Sequence, residues 1–120
     1  IIDIRRIEKT IIKYGDRFIK KCFLQTEIQR SENRRNTIQS YAKRYAAKEA
    51  CAKALGTGLA RGVYWKDIEV SNNNLGKPIL TLHNKAAKIL NQISSKNTRI
   101  EISLSDEKNY AISNVIIFNE

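Results

Sequence analysis

Two charged residues one helical turn apart, Glu49 and Lys53, interrupt a surface that otherwise reads as core-facing. They lie in the run YAKRYAAKEACAKALGTG, residues 41–58. Alanines at 42, 46, 47, 50, 52 and 54 give this run high helix propensity, and Gly56 supplies the left-handed stop expected just past a helix end. At about 100° per residue, Ile38, Ala42, Tyr45, Glu49, Ala52 and Lys53 share one stripe. A carboxylate four residues before an ammonium admits two readings. One is an ordinary i,i+4 pair, worth about 0.2–0.5 kcal/mol. The other is chemistry, in which the carboxylate serves a hard cation and the ammonium an anionic group. Arg44 and Lys48, elsewhere on the helix, read individually as solvated side chains. The Gly56-Thr57-Gly58 backbone can approach a phosphate closely, although a single G-x-G is also a plain helix stop.

The elements that must position these groups follow from periodicity. Ile4, Ile7, Ile11 and Ile12 recur at helical spacing, with Arg5, Arg6, Lys9 and Lys13 on the other faces, so Ile4 to Tyr14 is an amphipathic basic helix. Gly15-Asp16 interrupts it, and Arg17, Phe18, Ile19, Lys20 and Lys21 continue the helical pattern toward Cys22 and Phe23. Thr26 is the expected N-cap of a short third helix, and SENRRN, residues 31–36, reads as a surface loop leading into the central helix. Ile68-Glu69-Val70 and Ile79-Leu80-Thr81-Leu82 form a hairpin around Asn72-Asn73-Asn74 and Gly76. Asn84 caps a helix to about Ile93, and residues 94–97 end it. Ile100 to Ser105 alternates with period two, and Tyr110 to Phe118 returns across a turn at Asp106-Glu107-Lys108. Helices first and strands later predict an α+β fold, N-terminal helices packed on a mostly antiparallel sheet.

At 120 residues the chain can bury one core, so one domain over residues 1–120 is expected, and self-association would help it. The formal charge is +10, and residues 1–53 carry 14 basic against 6 acidic side chains. Most of the excess therefore lies in the helical half, which points to a localised docking face for an anionic partner. The two cysteines, Cys22 and Cys51, both fall in predicted helices and read as reduced. No run is long and apolar enough to span a bilayer and no leader pattern is present, which predicts a cytoplasmic protein that does not sit in a membrane.

The string R-Y-A-A-K-E-A-C-A-K-A-L-G-T-G closely resembles the signature of the holo-acyl carrier protein synthases, the short bacterial phosphopantetheinyl transferases. Arg44, Ala46, Ala47, Lys48, Glu49, Ala50, Lys53, Ala54, Gly56, Thr57 and Gly58 carry the match. Trp65 to Val70, Leu75-Gly76-Lys77-Pro78, Ser103 to Glu107 and Tyr110-Ala111 extend it over essentially the whole chain. The resemblance implies transfer of the phosphopantetheine arm of coenzyme A to a serine of apo-acyl carrier protein in fatty acid biosynthesis, releasing adenosine bisphosphate, with magnesium. It implies that Glu49 ligates the metal and, with Lys53, serves catalysis. It also implies coenzyme A contacts from Arg44, Lys48, Lys53, Gly56, Thr57, Gly58, Lys77, Pro78 and Ser105. Arg6, Lys9, Lys13, Arg17, Phe18 and Lys21 would bind the carrier protein, and the assembly would be a homotrimer with active sites between subunits.

One departure concerns the family pattern G-x-D-I-x-E-I-x-R-I-E. Residues 1–8 match its I-x-E-I-x-R-I-E portion, so the family's metal-binding Asp falls just before Ile1, at the end of a strand expected to precede this chain. Asp3 as the ligand instead would require a three-residue slip that spoils the match at Arg6, Ile7 and Glu8. Asp106 is given no catalytic role, because many relatives carry His there. His83 reads as structural and Trp65 as core or interface. The rival reading is a nucleic-acid binder stacking bases on Tyr41, Tyr45 and Tyr64, but none of the standard groove- or strand-reading signatures is present. A third reading, a silent binder of acidic proteins, applies if no metal-binding Asp precedes Ile1.

Overall fold

A computed structural model of the chain describes residues 1–94 and 97–120. The chain opens with a two-residue strand β1 (Ile2–Asp3), followed by helices α1 (Ile4–Tyr14), α2 (Asp16–Cys22), α3 (Gln25–Glu32) and α4 (Thr37–Leu55). A short helical turn (Trp65–Asp67) leads to strands β2 (Ile68–Asn72) and β3 (Pro78–Leu82), helix α5 (Asn84–Ile93), and strands β4 (Thr98–Glu107) and β5 (Tyr110–Asn119). Among the described residues all strand pairing is antiparallel: β1-β5-β4 form one sheet and β2-β3 a second. The α+β expectation holds, with two hydrogen-bonded sheets in place of one.

Helix α4 is the spine of both cores. Its first half buries Tyr41, Ala42 and Ala46 against Ile2, Ile4, Ile7, Ile19, Phe23 and Ala111. Its second half buries Ala47, Cys51, Ala52 and Leu55 against Val63, Ile68, Val70, Leu80, Ala86, Ile89 and Ile102. Alanine side chains let the helix axis approach the sheet, and the β-branched residues of the strands fill the space between. Gly56 closes α4 at φ +86°, a backbone conformation that a Cβ disfavours.

Four local expectations are corrected. Helix α3 starts at Gln25, two residues earlier than a Thr26 cap allows. The Glu27 carboxylate accepts the Leu24 N–H at 2.8 Å, while the Thr26 hydroxyl donates to Glu69 at 2.8 Å. The supposed loop at 31–36 begins inside α3: Ser31 is fully buried and its hydroxyl bonds that of Ser40 at 2.8 Å. Asn84 does not cap α5 but stands at its first position with φ +52°, its carboxamide donating to Asp67 at 3.0 Å. The β4–β5 turn is Lys108-Asn109, because Asp106 and Glu107 pair with Ala111 and Tyr110. The expected end of α5 at 94–97 includes Ser95 and Lys96, which lie outside the described residues.

Candidate active site

The helix-pair reading of Glu49 and Lys53 fails. No ion pair joins them, although the fold pairs Asp16 and Lys20 at the same spacing, 4.0 Å apart. Glu49 is half-buried and Lys53 exposed, and among the described residues neither side chain has a hydrogen-bond or ion-pair partner. A half-buried carboxylate without a partner forgoes interactions that a protein normally supplies, and is thereby free to take a cation. One turn earlier, Tyr45 stacks on Trp65 with ring centroids 4.4 Å apart, so Trp65 belongs to the packed interior beside this site. Burial first, and the charge of Glu49 second, raise the Tyr45 phenol above its ordinary pKa.

Lys48 is not solvated. Its side chain is fully buried and its ammonium donates to Glu27 at 2.8 Å, to the carbonyl of Trp65 at 3.0 Å and to that of Ile68. Glu27 in turn accepts the Val70 N–H at 2.9 Å. Desolvation lowers the Lys48 pKa, and the Glu27 charge opposes that shift. All three ammonium hydrogens are committed, so Lys48 offers nothing to a phosphate; it bolts α4 to α3 and β2.

Arg44 is 3% exposed and held from two sides. Its guanidinium donates to Ser40 Oγ at 2.8 Å and to Asn72 Oδ1 at 2.7 Å, and Asn72 donates onward to the Gly76 carbonyl at 3.0 Å. The Nε of Arg44 and that of Arg30 are buried without partners. Both residues line a cavity of about 210 Å³ together with Arg34, Lys43, Ser40 and Asn72, and with Gly76, Pro78 and Leu104. Four cations and no carboxylate line the cavity, a charge that suits an anion. Arg30, Arg34, Lys43 and Asn72 were not singled out in the sequence; the density of arginines in RSENRR was the available signal. Lys77, beside Pro78 in the hairpin, is exposed and ion-paired with Glu101 at 3.6 Å.

The Gly56-Thr57-Gly58 N–H groups are turned back on α4. Gly56 donates to the Lys53 carbonyl at 3.0 Å, and Thr57 and Gly58 to that of Ala52 at 3.3 and 3.1 Å. The loop is a helix stop whose donors are spent. Ser105 is exposed and pairs with Ile112 on the outer face of the sheet, one residue beyond the cavity-lining Leu104 and so on the opposite side. Asp3 caps α1 and binds the Arg5 guanidinium at 2.9 and 2.7 Å, which holds its pKa at about 2. That commitment leaves Asp3 unsuited to a metal.

On α1, Arg6, Lys9 and Lys13 are exposed; on α2, Arg17 and Lys21 are exposed and flank the half-buried Phe18. Thr10, Tyr14, Arg17, Phe18 and Lys21 line a groove of about 290 Å³. Phe18 floors it and does not project from it, because its ring packs against Phe23 and Tyr45 at centroid distances of 6.2 and 5.9 Å. Tyr14, 48% exposed and missed in the sequence, supplies the apolar wall. Tyr41 is 1% exposed and Tyr45 is stacked on Trp65, so two of the three tyrosines available to a base-stacking reading are spent inside the protein.

The model of the 4'-phosphopantetheinyl transferase superfamily matches residues 1–115. The chain belongs to this family. It is 48% identical over 120 residues to the holo-[acyl-carrier-protein] synthase of Rhizobium leguminosarum, covering 100% of this chain and 90% of that protein. The corresponding protein of Bartonella tribocorum is 48% identical over 119 residues, covering 98% and 90%. Among solved structures, the holo-[acyl-carrier-protein] synthase of Neisseria meningitidis superposes with a TM-score of 0.84 at 30% identity, covering 98% of this chain and 93% of that one. The Helicobacter pylori synthase in complex with coenzyme A gives 0.83 at 28% identity, covering 98% and 95%. The chemistry of this superfamily is group transfer, and among the described residues the free Glu49 carboxylate and the cation-lined cavity are the features of the candidate site left open to a ligand.

Proposed function

We propose that this protein is a holo-acyl carrier protein synthase, moving the phosphopantetheine arm of coenzyme A to a serine of apo-acyl carrier protein in the cytoplasm, for fatty acid biosynthesis. The serine oxygen forms a bond to the phosphorus next to the pantetheine arm, and the pyrophosphate bond to the adenosine side breaks. The serine proton leaves with the departing oxygen or to a nearby base, and adenosine bisphosphate is released. Negative charge grows on phosphoryl oxygens, so positioning and fixed positive charge carry such a reaction.

The observation that carries this reading is the unpartnered, half-buried Glu49 carboxylate in a chain of this family. Magnesium takes one or two carboxylates and fills the remaining positions with phosphate oxygens and water, so Glu49 fits as one ligand. Among the described residues no cluster of three or more His, Cys, Asp or Glu could hold a metal alone. The second carboxylate is proposed just before Ile1. Continuing the register Ile2↔Ala111 by two residues sets that position opposite Ser113, whose buried hydroxyl lacks a partner. Bound there, magnesium would neutralise pyrophosphate charge; Lys53, with its free ammonium, would stabilise the departing phosphate.

Arg44, Pro78 and the cations around them suit the anionic body of coenzyme A; Lys77 is a candidate at the rim, and Lys48 drops out of the set. Arg44 and Glu49 are five residues apart and thus about 140° apart around α4, so one chain presents two half-sites on different sides of the helix. A homotrimer with active sites between subunits would bring half-sites from neighbouring copies together and would give Ser105 a coenzyme to reach. The outer face of β5, with Tyr110, Ile112, Ile116 and Phe118 all more than a third exposed, supports such an assembly. The acidic carrier is proposed to dock on Arg6, Lys9, Lys13, Arg17 and Lys21. Both free cysteines suit a reducing compartment, and no described helix is long and apolar enough to cross a membrane.

The test is Glu49→Gln, which keeps shape and removes the anion. Transfer from coenzyme A to apo-carrier is expected to fall about 100-fold or more at ordinary magnesium, with an unchanged melting temperature. Magnesium-activated transfer at wild-type rate in that variant would remove Glu49 as the metal ligand, and a folded wild-type protein that transfers nothing to any apo-carrier would overturn the reading.

A further inference from the structure

Three of the four cations around the Arg44 cavity, Arg30, Arg34 and Arg44, have no ion-pair partner among the described residues, and the fourth does. Lys43 Nζ lies 3.0 Å from Asp106 Oδ1, joining α4 to the end of β4. The two side chains are 23% and 28% exposed, so the pair is mostly sheltered from solvent, and the screening that makes surface pairs weak is reduced. Asp106 itself does not line the cavity; it holds Lys43 from behind. An anion entering the cavity therefore meets three guanidinium groups without an ion-pair partner, that of Arg44 held in place by Ser40 and Asn72, and one ammonium whose charge is already offset.

We propose that Asp106 is a built-in counterion that sets the affinity of this cavity for the phosphate groups of coenzyme A, acting through Lys43 as an affinity-determining, non-catalytic residue. The inference rests on the coenzyme reading of the cavity given above. Its physical content is charge compensation: the ammonium keeps hydrogens for a phosphate oxygen, but the Asp106 carboxylate 3.0 Å away offsets its charge and so lowers the gain from binding the anion. A site that must release an anionic product after every turnover benefits from such a limit, since four unopposed cations would retain it.

The experiment is titration of the full protein with coenzyme A, comparing wild type, Asp106→Asn, Lys43→Gln and the double variant, with a melting temperature for each. Asp106→Asn is expected to bind coenzyme A about threefold to tenfold more tightly, and Lys43→Gln more weakly by a similar factor. In the double variant the gain disappears, and binding matches Lys43→Gln alone within about twofold. Asp106→Ser, smaller and equally neutral, is expected to repeat the gain if the Asn variant folds poorly. Unchanged or weaker binding in a folded Asp106 variant would overturn the proposal. So would an equal gain in the Lys43→Gln background, which would mean that Asp106 acts on the cavity without Lys43. Wild-type protein that binds no coenzyme A would instead bring down the functional reading on which the proposal stands.

Discussion

Glu49 and Lys48 are neighbours in sequence with opposite fates. The residue before the chemistry is a bolt, and the one that looks like a helix pair is left free. Lys53→Ala is expected to lower kcat about tenfold to a hundredfold with little change in the KM for coenzyme A, because an exposed ammonium without a partner adds little to ground-state binding. Steady-state kinetics separate the two constants; a rise in KM alone would make Lys53 a simple binding contact. The stripe containing Glu49 and Lys53 was legible because helical spacing is a local property. The burial of Lys48 was not, since its partner Glu27 is 21 residues away and pairs with it only once α3 has folded beside α4. For the same reason Arg44, read as solvated, turned out to be fixed by Ser40 and by Asn72 from the hairpin.

At the scale of elements, α4 was legible end to end, through its alanines and Gly56. Those signals are intrahelical and need no tertiary partner. Helix α3 was misjudged because its cap comes from Glu27 at the third helical position, and its last turn is buried by a Ser31–Ser40 contact between helices. The Lys48–Glu27 pair is the joint of α3, α4 and β2, and removing one partner strands the other. Lys48→Met is expected to cost about 3–5 kcal/mol in denaturant unfolding, with much of the loss recovered on adding Glu27→Gln. A loss in Lys48→Met below 1 kcal/mol would mean that the joint contributes only packing. On α1 and α2 the charges are exposed, so their role is kinetic. Reversing Arg6 and Arg17 to Glu is expected to raise the KM for carrier severalfold and leave that for coenzyme A nearly unchanged, with the difference shrinking as salt rises. Both constants moving together would show that this face is not the docking surface.

For the whole molecule, stability should decline on the alkaline side. Burial raises Cys22 from 9.0 to about 11, Cys51 from 9.0 to about 12 and Tyr41 from 10.0 to about 12. The folded state keeps protons that the unfolded chain gives up. This contribution is whole below pH 9 and is lost as pH rises through 11 and 12. Melting temperature measured from pH 8 to 11 should fall, and both thiols should resist alkylation in the folded protein at neutral pH; rapid alkylation of either would contradict the burial. In the proposed assembly, Glu49 and the Arg44 cavity, about 140° apart around α4, are half-sites that a neighbouring copy would complete, and the exposed apolar face of β5 offers the contact. Whether this molecule performs the transfer is read most directly from the intact mass of the carrier. Apo-acyl carrier protein incubated with the full-length protein, coenzyme A and magnesium should gain the mass of one phosphopantetheine arm, with adenosine bisphosphate formed in equal amount. A folded preparation that binds coenzyme A yet leaves every apo-carrier at its original mass would contradict the account.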